Sequence, residues 1–343
     1  MTRRHSNRIS VVASALLVVT VSLGAQAPRV HELPVTPANI HWGYYDAKVA
    51  PVLRLASGDR VKVETMIAGG LTRLRMLGVP DADLPASLTA VEQAITDRGP
   101  GAHPMTGPMF VEGAEPGDTL EVRVLSIGYL HNFGVNAFAP GGGTIPEDFP
   151  YAKLKLFRWP AGATAVEFAP GLTLPLAPFF GSIGVAPPPL SGRLSSRQPG
   201  WHAGNLDNKD LVAGSTLYVP VHVPGALLSI GDGHAMQGHG EVTGTALETS
   251  LTGEIEVRLH KGQRLRWPRA ETPTHYISMG LHEDLDEATK LAVREMVDFL
   301  AVTKKLSRDD AYMLCSLAAD LHVTQSVDGV KGIHATLAKS YFR

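Results

Sequence analysis

The chain has 343 residues, of which 44% are hydrophobic and 19% are charged. This is the composition of an ordinary globular protein, and it excludes a disordered, charge-rich chain. The 35 glycines and 25 prolines predict many turns, which favours short strands over long helices. The length is sufficient for one large core or two modest domains.

The N-terminal segment, residues 1–27, has the three-part pattern of a secretory signal peptide. Three arginines form a basic region, residues 11–23 are almost wholly apolar, and residues 25–27 form an A-x-A cleavage site. A membrane anchor is the alternative, but the apolar run is shorter than the roughly 20 residues that span a bilayer. We therefore predict an exported protein, periplasmic or secreted, without a membrane span after cleavage.

The charge of the mature chain excludes some partners. The predicted signal peptide, residues 1–27, holds three arginines and no acid, so its removal lowers the net charge from −2 to −5. A mildly acidic chain without a basic run is a poor partner for nucleic acid or an anionic membrane, and we predict neither. The sole cysteine, Cys315, excludes an intrachain disulfide.

Two similar β units follow the predicted signal peptide. Residues 57–63 resemble residues 116–122, and each is a Gly-Asp turn that leads into an alternating strand. Residues 120–124 and 255–259 alternate apolar and charged side chains, the pattern of a half-buried strand. Paired units of this kind predict a mainly β, sandwich-like or jelly-roll-like body over residues 28–250.

The segments between and after these strands differ in character. Residues 84–95 predict one short helix, whereas residues 131–150 and 181–204 are rich in glycine and proline and predict loops. Helical spacing predicts a helix in residues 288–300. Ser307, with an acid three residues later, predicts a capping box that opens a second helix. We therefore expect an α+β segment over residues 251–343, which completes the fold.

The sequence lacks the usual motifs of covalent nucleophiles. It has no Gly-x-Ser-x-Gly elbow, and Cys315 lies on an apolar helical stripe without a recognisable His partner. Residues 141–144 are glycine-rich but lack the serine pair of serine-type amidases. These absences favour chemistry based on a metal or a carboxylate.

The most informative stretch is residues 200–248. Two glycine-flanked polar loops, residues 202–207 and 231–241, are joined through an apolar strand at residues 217–221. The polar residues of the two loops are His202, Asn205, Asp207, Asp232, His234, Gln237, His239 and Glu241. Any one of them alone is typical of a turn. Together, imidazoles and carboxylates at strand ends are what a zinc-type site needs, although the spacing names neither the metal nor the reaction.

A second polar cluster lies earlier in the chain. His103, between glycines and prolines, is a candidate metal ligand or acid–base group. Glu112 is a candidate catalytic carboxylate from the adjoining strand, and a purely structural role fits it equally well. Glu115 and Asp118 belong to a polar turn.

Five stretches of the sequence together resemble the acetamidase/formamidase family. They are residues 106–118, 178–187, 202–207, 231–248 and 307–329. The Gly-Asn-x-Asp block and the Gly-Asp-Gly-His…Gln-Gly-x-Gly-Glu block are the most specific. The sequence departs from the family at His239, where an acidic residue is usual.

The resemblance implies hydrolysis of a small linear or cyclic amide to a carboxylate and ammonia or an amine. It also implies Zn²⁺, sometimes with a second divalent cation, and a homo-oligomer such as a dimer. The motif matches give Asp207, Asp232 and His234 as metal-ligand candidates, and the two polar clusters of the sequence add His103 and His202. Glu112 and Glu241 are the candidates for proton transfer. Asn205 and Gln237 are the candidates for contact with the substrate.

Two alternatives remain open from the sequence. One is a non-catalytic extracellular β-sandwich module that binds a ligand such as a sugar, although aromatics for stacking are few. The other is a different metalloenzyme on a cupin-like scaffold, such as an iron oxygenase, because a fold does not determine a function.

Overall fold

The structure is a computed structural model that describes Met1 and residues 28–342. The predicted signal peptide, residues 1–27, therefore lies outside the described residues except for Met1. Within the part of the chain that the structure describes, no helix is long and apolar enough to cross a membrane.

Most of the regular structure is β. In chain order the strands are β1 (Val30–Leu33), β2 (Ile40–Trp42), β3 (Tyr44–Tyr45), β4 (Leu53–Leu55), β5 (Arg60–Glu64), β6 (Pro104–Val111), β7 (Thr119–Tyr129), β8 (Phe133–Phe138), β9 (Lys153–Arg158), β10 (Ala165–Ala169), β11 (Leu172–Pro175), β12 (Phe179–Gly184), β13 (Leu194–Ser195), β14 (Ala203–Asn205), β15 (Thr216–Pro220), β16 (Leu228–His234), β17 (Glu248–Thr249), β18 (Leu251–His260), β19 (Arg269–Glu271), β20 (His275–His282), β21 (Asp320–Gln325) and β22 (Lys331–Ala338).

The helices are few and lie in two regions of the chain. The α-helices are α1 (Thr72–Met76), α2 (Ala86–Ala94), α3 (Leu285–Thr303) and α4 (Arg308–Ala318), with short 3-10 turns at Asp81–Asp83, Pro189–Ser191 and Lys339–Tyr341. Helix α2 confirms the short helix predicted within residues 84–95.

The strands form two large sheets. The first has the order β1-β5-β18-β7-β15-β19-β20-β22-β21. The second has β14-β12-β16-β17-β8-β9 as its main path, and β6 joins it by pairing with β16, β2 and β4. Nearly all neighbouring strands are antiparallel; β1 with β5 and β4 with β6 are parallel.

One main hydrophobic core lies between the two sheets. Val122 and Val257 reach it from the first sheet, and Phe180 and Ile230 reach it from the second; all four are fully buried. Two sheets that bury their inner faces against each other form a sandwich. The mainly β, sandwich-like fold with a C-terminal α+β part is therefore confirmed.

The Gly-Asp repeat has a structural counterpart. Strands β5 and β7 follow the two turns and lie on either side of β18. The Asp59 carboxylate accepts the backbone N–H of Ala56, and the Asp118 carboxylate accepts that of Glu115, so each aspartate closes its own turn. The repeat therefore builds two equivalent strands around a shared neighbour.

The loop prediction for residues 131–150 and 181–204 is wrong in part. Strand β8 lies within the first segment, and most of β12 together with β13 and β14 lies within the second. The prediction took the glycines of these segments as a sign of turns, whereas some of them allow two strands to pack closely. A Cβ on Gly184 would lie 2.6 Å from the backbone nitrogen of Gly204.

The C-terminal helices pack on the first sheet, against β20 and β22. The Ser307 hydroxyl caps α4 by accepting the backbone N–H of Asp310, which confirms the predicted cap. Cys315 is buried on α4, as its apolar stripe predicts. The division at residue 250 stays a prediction: β18, just after it, lies in the sheet between β5 and β7.

The contact between α3 and β20 depends on one glycine. A Cβ on Gly280 would lie 1.9 Å from the carbonyl oxygen of Ala288 and 2.5 Å from the nitrogen of Ala292. We expect Gly280→Ala to lower the free energy of unfolding by about 3 kcal/mol, because the helix must move away from the sheet. Gly128→Ala is the matched control, since its Cβ would lie 3.6 Å from the Thr252 methyl group. Equal denaturant midpoints for the two variants would contradict this packing.

Candidate functional site

A cavity of about 570 Å³ opens beside the middle strands of the second sheet. Charged and polar side chains from distant parts of the sequence line it, namely Arg73, His103, Arg197, Asn205, Asp232, Glu241, Glu248 and Asp328. A concave site with converging polar groups is the usual form of a binding or catalytic pocket.

Strand pairing brings the polar groups together. Asp232 and His234 lie on β16, which pairs with β12 on one side and β17 on the other. Glu248 of β17 lies opposite His234 in this register. Asp207 follows β14 in the chain, and its backbone N–H donates to the carbonyl of Gly181 on β12, 3.1 Å away. Three neighbouring strands thus position four of the polar residues.

A local irregularity turns His234 towards this group. Strict alternation along β16 would place His234 on the same face as Ile230, which lies in the sandwich core. Asp232 has a φ of 55°, and the register passes from Gly231 to Gly233 without a ladder pair at Asp232. An irregularity of this kind re-aims side chains, so that Asp232 and His234 both face the polar cluster.

Six residues form what we name the carboxylate cluster: Asp207, Asp232, His234, Glu241, Glu248 and Asp328. They fall into three overlapping groups of three, and within each group the potential ligand atoms all lie within 4.8 Å of one another. His234 is central: its Nε2 lies 3.3 Å from Asp232 Oδ2 and 3.4 Å from Glu248 Oε2, and its Nδ1 lies 4.0 Å from Asp207 Oδ1. The cluster is close enough for one ion to contact several of its members.

Several atoms of the cluster are buried without a hydrogen bond among the described residues. They are Asp207 Oδ1, both ring nitrogens of His234 and Glu248 Oε2. The neighbouring charges are near these atoms but not aligned for hydrogen bonding. Because a buried polar atom without a partner costs about 1–3 kcal/mol, these atoms are suited to hold a cation.

Gly181 has no side chain, which leaves space at the middle of the cluster. A Cβ at this position would lie 2.5 Å from Asp232 Oδ2, 2.7 Å from Asp207 Oδ1 and 2.9 Å from His234 Cε1. Any larger residue would displace the acidic groups from one another. The glycine is therefore required by the close approach of these side chains.

The backbone is strained at the same place. Asp207, Asp232, Glu241 and Asp328 have φ values of 49°, 55°, 43° and 67°, in the left-handed region. Each such residue costs about 1 kcal/mol relative to an ordinary conformation. Four of the eight non-glycine residues with positive φ in the described chain are thus cluster carboxylates, the concentration expected at a functional site.

The cluster holds more negative charge than its basic groups neutralise. Burial raises the pKa of Asp207, and the neighbouring carboxylates of Glu241 and Asp232 raise it further. Burial likewise raises the pKa of Glu241 well above its ordinary value, with Asp328 and Glu248 adding to the shift. The two carboxyl groups therefore favour a proton where no other cation is present.

The pKa values of His234 and Asp232 shift in the directions that favour their charged forms. Burial disfavours charge on His234, but the carboxylates of Asp232 and Glu248 outweigh it and raise the His234 pKa well above its ordinary value. The same attraction, together with that of His103, holds the pKa of Asp232 far below its usual range despite burial. The imidazole lies among acceptors that stabilise positive charge at its position.

The predicted residues His103, Asn205 and Gln237 lie beside the cluster. His103 lines the cavity: its Nδ1 donates to the Ser196 carbonyl at 2.9 Å, and its Nε2 faces Asp232 Oδ1 at 3.7 Å. Asn205 donates to Asp207 Oδ2 at 2.7 Å, and Gln237 donates to the Asp207 carbonyl at 2.8 Å. The two amides hold Asp207 in position.

Two predicted residues lie away from the cluster. His202 is buried between Tyr45 and Trp201, with ring centroids 5.1 and 5.4 Å away, and burial lowers its pKa to about 3. Glu112 is exposed and pairs with Arg54 at 2.7 Å. The structure does not bring either side chain to the carboxylate cluster.

Four charged residues of the site were not predicted individually. Glu248 and Asp328 complete the cluster, and Arg73 and Arg197 line the cavity, with Arg197 Nε 3.3 Å from Asp328 Oδ1. Glu248 ends the segment 231–248, and Asp328 precedes Gly329 in the segment 307–329, so family resemblance marked both segments. Nothing in the local pattern around Arg197 distinguishes it from a surface arginine.

Comparison with known proteins assigns the family. The sequence model of the Acetamidase/Formamidase family matches residues 47–197 and 194–339. The chain belongs to this family. Its formamidase relative from Methylophilus methylotrophus is 30% identical over 211 residues, which cover 46% of this chain and 52% of the relative. The chain thus spans about half the length of the curated relatives it matches.

Solved structures extend the family likeness over nearly the whole chain. An acetamidase from Bacillus halodurans is 34% identical with a TM-score of 0.76, covering 91% of this chain and 98% of the other. An acetamidase from Yersinia enterocolitica is 30% identical with a TM-score of 0.78, covering 94% and 96% respectively. The predicted membership of the acetamidase/formamidase family is confirmed.

The charge excess in this acetamidase/formamidase-family site predicts an effect on stability. In chelator-treated protein at pH 7, we expect Glu241→Gln to raise the free energy of unfolding, on the order of 1 kcal/mol. The folded state keeps a proton on Glu241 that the unfolded state releases, so the cost exists above the ordinary pKa near 4.5 and vanishes as the pH falls below it.

The matched control is Glu112→Gln, which removes an exposed carboxylate. Thermal melting at pH 7 and at pH 4 measures both variants. A Glu241→Gln melting temperature at or below that of the wild type at pH 7 would contradict the charge excess.

Proposed function

We propose that the chain is a metal-dependent hydrolase of a small linear or cyclic amide. Family membership and the names of the similar proteins support amide hydrolysis, and the carboxylate cluster supports the metal. The observation that carries the metal proposal is the group of buried, unpartnered donor atoms on Asp207, His234 and Glu248. Three such donors from imidazole and carboxylate groups form the donor set of a catalytic zinc site.

The charges of the site fit divalent cations. Five cluster carboxylates face two guanidinium groups of the cavity wall, those of Arg73 and Arg197, and two imidazoles that are neutral when they act as ligands. The excess of three negative charges is more than one divalent cation neutralises. Asp207 and Asp328 offer oxygen atoms only, which a harder ion prefers, whereas His234 favours a zinc-type ion.

The proposed chemistry divides between the cation and the side chains. A bound zinc-type cation polarises a carbonyl and lowers the pKa of water towards neutrality. Glu241, with a raised pKa and a place in the cavity wall, would take the proton from the attacking water and return it to the amine nitrogen as the C–N bond breaks. Glu112 is exposed, pairs with Arg54 and does not line the cavity, so it does not share that role.

The amide side chains and the arginine take supporting roles. Asn205 and Gln237 use their N–H groups on Asp207, so we propose that they position this carboxylate rather than bind substrate. Arg197 is more than half exposed and lines the cavity, so its remaining donors are available to the carboxylate product.

Export and oligomerisation remain separate proposals. The leader pattern of residues 1–27 supports work outside the cytoplasm, and family resemblance supports a homo-oligomer such as a dimer. Mass spectrometry of the protein isolated from its producing cell distinguishes a mature chain that begins at Pro28 from an uncleaved one. Light scattering reports the number of chains.

The first test is turnover by a histidine variant. We expect the wild type to release ammonia from at least one member of a panel of small amides, and His234→Ala to lose at least 100-fold of that rate, because a metal ligand is removed. His282→Ala, an exposed histidine outside the cavity, is the matched control. Circular dichroism checks that both variants fold.

Either of two results would contradict the proposal. Full activity in His234→Ala would exclude the cluster as the reaction centre. Saturable binding of an amide without any turnover by the wild type would favour a binding module.

The second test uses the space at Gly181. We expect Gly181→Ala to reduce both bound metal and ammonia release at least tenfold, because the methyl group separates Asp207 from Asp232 and His234. Gly128→Ala, with an ordinary contact in the first sheet, should keep both. Normal metal content in folded Gly181→Ala protein would show that the ion does not bind in the space beside Gly181.

A further inference from the structure

A second group of ionisable side chains lies outside the carboxylate cluster. The imidazole rings of His239, His322 and His334 contact one another, with centroids 4.7, 5.0 and 5.2 Å apart. His322 and His334 are directly opposed on β21 and β22. His239 belongs to the loop after β16, which is fixed to β21 by the hydrogen bond from the Gly240 N–H to the Thr324 carbonyl.

A carboxylate completes this group. Asp210 Oδ2 lies 3.2 Å from His334 Nε2, and the other ring nitrogen of His334 lies 2.7 Å from the Thr324 hydroxyl oxygen. One ligand atom from each of Asp210, His239 and His334 lies within 4.8 Å of the others. His334 is fully buried, Asp210 is half-buried and His239 is exposed, so the group is fixed at one end and open to solvent at the other.

The hydrogen bonds of His334 determine which of its ring nitrogens is available to an ion. Its Nδ1 lies 2.7 Å from the Thr324 hydroxyl oxygen, so its Nε2 is the nitrogen that faces Asp210 Oδ2, 3.2 Å away. A histidine that binds a metal usually makes a hydrogen bond through its other ring nitrogen, which fixes the orientation of the ring.

We propose that Asp210, His239 and His334 form a second metal site, which takes a divalent ion of the zinc type. Two imidazoles and one carboxylate are a donor set for late first-row transition metals, and the solvent-facing side leaves room for water as a further ligand. His322 stacks on both histidine ligands and holds their ring planes in place.

The position of the site defines what an ion there would do. Asp210 lies three residues after Asp207, and His239 lies two residues before Glu241. An ion that joins Asp210 to His239 and His334 links both polar loops to β22. It stabilises the loops that carry the carboxylate cluster without itself contacting the substrate.

Zinc titration of chelator-treated protein tests the site. By isothermal calorimetry and elemental analysis, we expect His239→Ala to bind one Zn²⁺ fewer per chain than the wild type, and His282→Ala to bind as many as the wild type. His239 is exposed, so the variant should fold, which circular dichroism checks. Equal zinc stoichiometry and affinity in His239→Ala and the wild type would overturn the proposal.

A second variant separates this site from the carboxylate cluster. We expect His234→Ala to keep one Zn²⁺ that is lost when His239→Ala is added. With Cu²⁺ as the probe, His234→Ala should show an electron paramagnetic resonance signal with coupling to two imidazole nitrogens. Failure of folded His234→Ala protein to bind either ion would also overturn the proposal.

Discussion

Five carboxylates converge on one buried pocket, and the repulsion among them is the constraint on which the rest of the site depends. The fold meets this constraint in specific ways: left-handed backbone at four of the acids, a glycine at position 181 and an amide from Asn205 on Asp207. None of these removes the excess negative charge. The proposed cations would make the arrangement favourable, because an ion that binds only the folded state stabilises it.

Much of the fold was predictable because local patterns and tertiary packing agree in it. Alternation at residues 120–124 and 255–259 identified two central strands, and Ser307 marked the start of α4. The prediction failed for residues 181–204, where glycine in a fully buried strand resembled glycine in a loop. Sequence alone does not distinguish a glycine needed for a turn from one needed for close approach of another chain segment.

The site was predictable where its residues share a motif, and less so where they meet only in the fold. Asp207, Asp232, His234 and Glu241 come from the two polar loops, and the structure brings all four together. Asp328 lies near the C-terminal end of the sequence, far along the chain from the other cluster residues that it contacts. His202 fits the same motif pattern but packs between aromatic rings, because pattern and spacing do not give the direction of a side chain.

The proposed amide hydrolysis depends on a cation in the carboxylate cluster. Elemental analysis of the purified protein, paired with ammonia release before chelation, after chelation and after readdition of Zn²⁺, tests this most directly. We expect near-stoichiometric or higher zinc, loss of ammonia release on chelation and its return with the metal. A metal-free protein that hydrolyses amides at the same rate in excess chelator would contradict the proposal.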